Sequence, residues 1–118
     1  MASDTVAVSN TTRNTVLGER IRVAETSLSR MVGLLRDKGL EPGTGLIIYP
    51  TQAIHTVAMK FAIDVVFVDR KWKVVYVRPE MAPFRLTGIH WKARCVIELP
   101  AGVIAETSTA VGDQLCVS

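Results

Sequence analysis

The run IDVVFV, residues 63–68, is the sequence feature that most restricts the fold of this 118-residue chain. Its VVFV segment has no polar alternation, which is typical of a strand buried on both faces. A polar break follows at Asp69, Arg70 and Lys71, and the apolar segment KVVYV comes next, so residues 64–78 are predicted to form a β-hairpin. Trp72 stands where such a turn favours glycine. Either Trp72 begins the second strand or the turn is longer than the tight two-residue kind.

Apolar patterns elsewhere predict four more strands and one helix. The strands are TVLGERIRVA at 15–24, LIIYP from Leu46, CVIEL from Cys95 and the terminal LCVS. The helix is predicted from the apolar stripe formed by Leu28, Met31, Val32 and Leu35. The chain is therefore predicted to be mainly β with one α-helix, as a compact β-sandwich or partly closed β-barrel with the helix packed on one side.

The domain organisation follows from length and composition. A chain of 118 residues can bury one core, so residues 15–118 are expected to form a single β-rich domain behind a disordered or extended polar lead-in at 1–14. No apolar run approaches the ~18 residues of a membrane-spanning helix. The lead-in lacks the basic start and apolar stretch of a secretory signal, so the default expectation is a cytoplasmic protein.

Basic residues are concentrated in one part of the sequence. Between residues 60 and 94 there are eight basic side chains against three acidic ones, namely Lys60, Arg70, Lys71, Lys73, Arg78, Arg85, Lys92 and Arg94 against Asp64, Asp69 and Glu80. They are either solvated outward positions of strands or a surface for an anionic partner. We expect no nucleic-acid partner. The oligomeric state is left open.

The cysteines Cys95 and Cys116 both lie in apolar stretches and are predicted to be buried free thiols; a disulfide would need neighbouring strands and an oxidising compartment. The spacing of Cys and His matches no zinc motif, and the sequence has no phosphate-binding glycine loop or nucleophile elbow. We expect no metal and no cofactor.

Asp64 is the sharpest candidate for a functional residue, because a carboxylate between Ile63 and Val65 needs a polar partner. His55 and Thr56 lie eight or nine residues upstream, with Met59 at the intervening turn, and can fold back toward it. A pair of His55 and Asp64 would prepare the imidazole as a base. The alternative is that Asp64 accepts backbone N–H bonds and holds the turn before its strand.

Three more residues complete the predicted binding site. Glu98 is a carboxylate among apolar neighbours that can face Asp64, although it can equally point to solvent or pair with Arg94. His90 and Trp91 lie in an irregular loop at 78–92, where they can close over a pocket or cover the sheet. In either role, the aromatic side chains Phe84, His90 and Trp91 are not expected to be exposed to water.

The ordered motifs SRMVGLLRDKGL, GTGLIIY, IHTVAMKFAIDVVFVD, VIELPAG and VGDQL resemble those of the domain-of-unknown-function 192 family, over residues 15–118. The resemblance implies a compact, mostly β fold and no established activity. Many members carry a signal peptide and are associated with the cell envelope, which this sequence does not indicate. The sequence departs from the family at Trp72, where a glycine is usual, and at Ala62, where many members have proline.

Three functional hypotheses remain. The first is a ligand- or protein-binding module whose site includes His55, Thr56, Met59, Asp64, Glu98, His90 and Trp91. The second is a small enzyme of hydrolase or lyase type that uses His55 with Asp64. The third is a protein that binds anionic surfaces through the basic 60–94 segment, in which case binding would fall steeply with salt. The sequence alone does not decide whether the protein is an enzyme.

Overall fold

The structure, a computed structural model, describes residues 5–24, 40–54, 56 and 61–118. The strands are β1 (Thr5–Asn10), β2 (Thr15–Ala24), β3 (Thr44–Ile48), β4 (Ile63–Val68), β5 (Val74–Met81), β6 (Cys95–Pro100) and β7 (Leu115–Val117). A short helix, α1 (Val103–Thr107), follows β6. The predicted mainly β class is confirmed. The helix predicted around 28–35 lies outside the described residues, and α1 forms where the sequence pattern was weak.

The strands form one curled sheet in the order β5-β4-β6-β3-β2-β1-β7. Neighbouring strands are antiparallel except β2 and β3, which are parallel. The sheet curls so far that its two ends meet: the N–H of Val74 donates to the carbonyl of Asp113, and the N–H of Leu115 donates to the carbonyl of Trp72. The architecture is therefore the partly closed barrel rather than the sandwich.

The predicted hairpin is formed by β4 and β5, and every residue of β4 is buried, as the VVFV run indicates. Its turn is not the tight two-residue kind, because the N–H of Trp72 donates to the carbonyl of Asp69 and the N–H of Asp69 donates to the carbonyl of Lys73. Trp72 has a φ of +63°, the left-handed region that favours glycine. Its side chain nevertheless packs against the buried core.

The buried apolar side chains of the described residues form two clusters, one on each face of the sheet. The inner core contains side chains from all seven strands and from Ile104 of α1, so it fills the concave face. The outer core contains side chains of β3, β4, β5 and β6, with Ile54 and Ala93. In the pairing of β4 with β6, Asp64 lies opposite Leu99 and Val65 lies opposite Glu98. Asp64 therefore faces the inner core and Glu98 the outer core.

Within the predicted lead-in, residues 5–10 are extended and form the strand β1. β1 pairs with both β2 and β7, and a buried polar cluster holds its end. The Asn10 amide donates to Thr109 Oγ1 at 3.1 Å and to Asp113 Oδ2 at 2.9 Å. Arg13 Nε donates to the same Asp113 oxygen at 3.0 Å. Burial would raise the pKa of Asp113, but hydrogen bonds from Arg13, Asn10 and the N–H of Ala110 together lower it.

Gly45 of β3 marks a close approach of two strands, and its replacement by alanine is expected to destabilise the fold. A Cβ at this position would lie 2.5 Å from the carbonyl oxygen of Glu98 and 2.9 Å from Cδ1 of Ile21. We expect Gly45→Ala to lower the free energy of unfolding by about 1–3 kcal/mol in urea denaturation. Gly88→Ala is the matched control, because a Cβ there meets no atom within 4 Å. Equal losses in the two variants would contradict the steric explanation.

Candidate functional site

Asp64, the sharpest candidate in the sequence, is fully buried and serves as a backbone anchor. Its Oδ1 accepts the N–H of Glu80 at 2.8 Å, and its Oδ2 accepts the N–H of Ile104 at 2.7 Å. One carboxylate thereby connects the end of β5 and the start of α1 to the beginning of β4. The hydrogen-bonding role proposed for Asp64 engages both of its oxygens, and among the described residues the segments it holds are β5 and α1.

Thr56 is also buried, but its contacts are with the loop after β5 rather than with Asp64. Its N–H donates to the carbonyl of Arg85 at 2.8 Å, and its hydroxyl donates to the carbonyl of Ala82 at 2.7 Å. The same hydroxyl accepts the N–H of Arg85 at 2.9 Å. Thr56 therefore fixes the course of that loop. His55 and Met59 lie outside the described residues.

Glu98 contradicts the expectation of an exposed or ion-paired side chain. It is only 2% exposed, and its Oε1 accepts no hydrogen bond from the residues that the structure describes. Burial raises the pKa of Glu98 to about 8, so the carboxyl is mostly protonated at neutral pH. The proposed pairing with Asp64 is also wrong, because the two carboxyl groups lie on opposite faces of the sheet.

The two aromatic residues predicted to close over a pocket differ in their surroundings. The ring of His90 stacks on that of Tyr76, with centroids 4.0 Å apart and an interplanar angle of 21°, and it lies 4.9 Å from the ring of Phe67. Trp91 is 76% exposed and Phe84 is 68% exposed, so the expectation that both are covered is wrong. Sequence periodicity could not reveal this, because hydrogen bonds to Gln52, Ile54 and Thr56 hold the loop backbone, and the loop buries Thr87 rather than its large apolar side chains.

The cysteines are both free, and only Cys95 is buried; the expectation of burial is wrong for Cys116. A disulfide is excluded by topology, since β6 and β7 are not neighbours in the sheet. Burial raises the pKa of the Cys95 thiol to about 12, although Arg94 acts to lower it. The thiol therefore stays protonated and is a poor nucleophile.

A cavity of about 290 Å³ lies at the end of the barrel where β6 begins. We call this end the barrel mouth. The strand register places it away from α1, since Val68 lies opposite Cys95 there while Ile63 lies opposite Pro100 near the helix. Apolar and aromatic groups form most of its lining, namely Val23, Ile47, Tyr49, Trp72, Cys95 and Val117.

Charged side chains rim the barrel mouth. Arg70 and Asp69 come from the β4–β5 turn, and Arg94 is the residue before β6. Oδ1 of Asp69 is already engaged, because it accepts the N–H groups of Lys71 and Lys73 at 2.9 and 3.0 Å. In the described part of the chain neither arginine forms an ion pair. The two guanidinium groups are thus available to an anion.

A second, more polar depression adjoins the mouth and shares its charged rim. We call it the basic groove; its lining includes Arg70, Lys71, Trp91, Lys92 and Arg94. Four of the cations that are concentrated in the 60–94 segment, Arg70, Lys71, Lys92 and Arg94, therefore also lie close together in space. Sequence reasoning singled out these basic residues and Trp91, but it missed Tyr49 and the mouth. The one feature of the sequence that could have indicated the barrel mouth was Trp72, which stands where glycine is usual.

The described residues contain no group of three or more His, Cys, Asp or Glu side chains placed to bind a metal ion. In the same part of the chain no helix is long and apolar enough to cross a membrane.

The fold and the mouth define a class: a small, partly closed β-barrel with an apolar opening rimmed by arginines. The chain belongs to the domain-of-unknown-function 192 family (DUF192, Uncharacterized ACR), whose sequence profile matches residues 7–117. The function of this family is uncharacterised.

Individual relatives agree with this assignment. A UPF0127 protein of Thermococcus sibiricus is 29% identical over 111 residues, which cover 90% of this chain and 71% of the relative. A UPF0127 protein of Pyrococcus horikoshii is 30% identical over 112 residues, covering 90% and 94%.

Two crystal structures share the fold. One is a protein of unknown function from Novosphingobium aromaticivorans, with a TM-score of 0.76, 21% identity and coverage of 95% of this chain and 83% of that chain. The other, from Sinorhizobium meliloti, is described as a candidate transcription regulator, with a TM-score of 0.76, 18% identity and coverage of 95% and 91%. At these identities the likeness concerns the fold alone.

Proposed function

We propose that the protein is a binding module that holds a small organic anion at the barrel mouth. The observation that carries the proposal is the apolar cavity rimmed by Arg70 and Arg94. The mouth of a β-barrel is a frequent ligand site, and guanidinium groups bind carboxylate or phosphate with two hydrogen bonds. The aromatic side chains of Tyr49 and Trp72 suit a ligand with an apolar body and one anionic end.

Binding fits the chemistry of the described residues better than catalysis does. The Cys95 thiol in the mouth is protonated because burial raises its pKa to about 12. Each oxygen of Asp64 accepts a backbone N–H, and Asp64 faces the inner core at the α1 end of the barrel. The enzyme hypothesis with His55 and Asp64 as a catalytic pair therefore gains no support from these contacts.

The basic groove favours a second candidate, an extended anionic partner that also contacts Lys71 and Lys92. The two candidates differ in their dependence on salt. A partner that neutralises several cations should lose affinity steeply as salt is raised, whereas a small monoanion in the mouth should lose little.

A thermal-shift titration tests the proposal with benzoate, hexanoate and phenyl phosphate as probes and benzyl alcohol and hexanol as neutral analogues. We expect the anions to raise the melting temperature, since a ligand that binds only the folded state stabilises it. Arg70→Gln and Arg94→Gln are each expected to weaken anion binding by about tenfold or more, because each removes a charge-assisted hydrogen bond.

The control is Arg22→Gln, which removes an exposed arginine on β2 that lines neither the barrel mouth nor the basic groove. It should leave the affinity for the probes unchanged. Equal shifts with anions and neutral analogues, or unchanged affinity in both Arg70→Gln and Arg94→Gln, would contradict an anion site at the barrel mouth.

A further inference from the structure

The segment from Phe84 to Trp91, which we call the apolar loop, presents large apolar side chains to solvent. Phe84 is 68% exposed, Leu86 69%, Ile89 56% and Trp91 76%. Isolated exposed apolar residues are ordinary, but four on one loop of eight residues make this part of the surface unusually apolar, which favours an apolar partner. The arginine-rimmed barrel mouth does not account for this surface, because of the four only Trp91 lies near it, in the basic groove.

The apolar loop is held rigidly by its backbone, so the exposure of its side chains is built into the fold. The N–H of Phe84 donates to the carbonyl of Thr56 at 2.9 Å, and the N–H of His90 donates to the carbonyl of Gln52 at 2.8 Å. The guanidinium of Arg78 donates to the carbonyl of Leu86 at 2.9 Å. Phe84 adopts a φ of +60°, which is strained for a bulky residue and persists only where the surrounding structure holds it.

The charged residues of the apolar loop and its sequence neighbours are basic, and the one carboxylate beside Trp91 in the basic groove, Asp69, is outnumbered there by Arg70, Lys71, Lys92 and Arg94. Arg85 and Lys92 are exposed, and the sequence has no acidic residue between Glu80 and Glu98. Aliphatic and aromatic side chains interleaved with cations suit the interfacial layer of an anionic membrane, where Trp is enriched at the headgroup level and cations contact the lipid phosphates. We infer that the apolar loop docks the protein on an anionic lipid surface.

Other partners fit the same side chains less well. A symmetric contact between two copies of the loop would gather the cations Arg85 and Lys92 of both copies into one interface, without acidic residues of the loop to neutralise them, which is unfavourable. Single-stranded nucleic acid would use the Trp91 and Phe84 rings for stacking but would leave Leu86 and Ile89 without a role. A bilayer accommodates all four apolar side chains together with the cations.

Sedimentation with lipid vesicles tests the inference directly. We expect the full chain to bind vesicles of equal parts phosphatidylcholine and phosphatidylglycerol at least tenfold more tightly than vesicles of phosphatidylcholine alone, and the emission of Trp91 to shift to shorter wavelength on binding. The double variant Phe84→Ser/Trp91→Ser is expected to lose at least tenfold in affinity for the anionic vesicles. Its circular dichroism melt checks that it folds.

Val16→Ser is the matched control, because Val16 is 57% exposed on β2, outside the apolar loop. It should bind the anionic vesicles as the unaltered chain does. The inference is overturned by equal binding to neutral and anionic vesicles, by unchanged binding of the double variant, or by no vesicle binding at all. Self-association or DNA binding that depends on Phe84 and Trp91, without vesicle binding, would equally overturn it. The Arg70 and Arg94 variants test the barrel mouth separately.

Discussion

Replacing Asp64 with asparagine is expected to lower the free energy of unfolding by about 2–4 kcal/mol and the melting temperature by roughly 10 °C. The reason is the use of both carboxylate oxygens, which accept the N–H groups of Glu80 and Ile104 in a fully buried position. An asparagine keeps one of these acceptors and turns its amide donor toward the other N–H, which is left buried and unpaired. Urea denaturation and thermal melting measure the loss.

Asp69→Asn is the matched control for this experiment. Asp69 also accepts two backbone N–H groups, from Lys71 and Lys73, but both reach the same oxygen, Oδ1. The carbonyl oxygen of an asparagine can keep both bonds, and the residue is only half-buried. We expect a loss below about 1 kcal/mol. If Asp64→Asn lowered the free energy of unfolding no more than Asp69→Asn does, the anchoring role of Asp64 would be refuted.

Glu98 is expected to make the fold less stable as pH rises from 5 to 8. Its pKa is raised from 4.5 to about 8 by burial, so between these values the folded chain holds a proton that the unfolded chain has released. The free energy of unfolding therefore falls with increasing pH, by about 1.4 kcal/mol for each pH unit, which is on the order of 4 kcal/mol over this range. Above pH 8 the decline should level off.

Urea denaturation at several pH values measures this slope, and the variant Glu98→Gln isolates its cause. The amide does not titrate, so the difference in stability between the two chains should change with pH across the same range. Glu80→Gln removes an exposed carboxyl and should leave the slope unchanged. If the stability of Glu98→Gln still fell with pH at the same rate, another titratable group would be responsible for the slope. Asp113 does not contribute to this slope. Its pKa is lowered in the folded chain, so the stability that it provides is lost only as pH falls below 3.8, the ordinary pKa of the group.

The apolar patterns were sufficient to predict most of the strands. The unbroken VVFV run correctly indicated burial on both faces of β4, and the polar break after it correctly placed the hairpin. The patterns failed where contacts distant in sequence decide the outcome. β1 is ordered by pairing with β2 and β7, and α1 begins where Asp64, forty residues earlier, binds the N–H of Ile104.

The candidate site was predicted only in part. The need of Asp64 for polar partners was evident from its apolar neighbours, but the identity of those partners depends on where β5 and α1 lie. Glu98 looked equally able to face solvent or Asp64, and only the register of β4 against β6 places it in the outer core. The barrel mouth combines residues from five parts of the chain, which no local pattern relates.

The sequence by itself determined that this chain is mainly β, because the pattern of apolar and polar residues is a local property that indicates strands directly. Its ordered motifs, rather than this pattern, carried the resemblance to the DUF192 family. Only the tertiary structure decided that the sheet curls into a partly closed barrel, that Arg70 and Arg94 both line its mouth, and that Trp91 is exposed. These features depend on strand register and on hydrogen bonds between distant segments. A change of one residue in register would turn each side chain to the other face of the sheet.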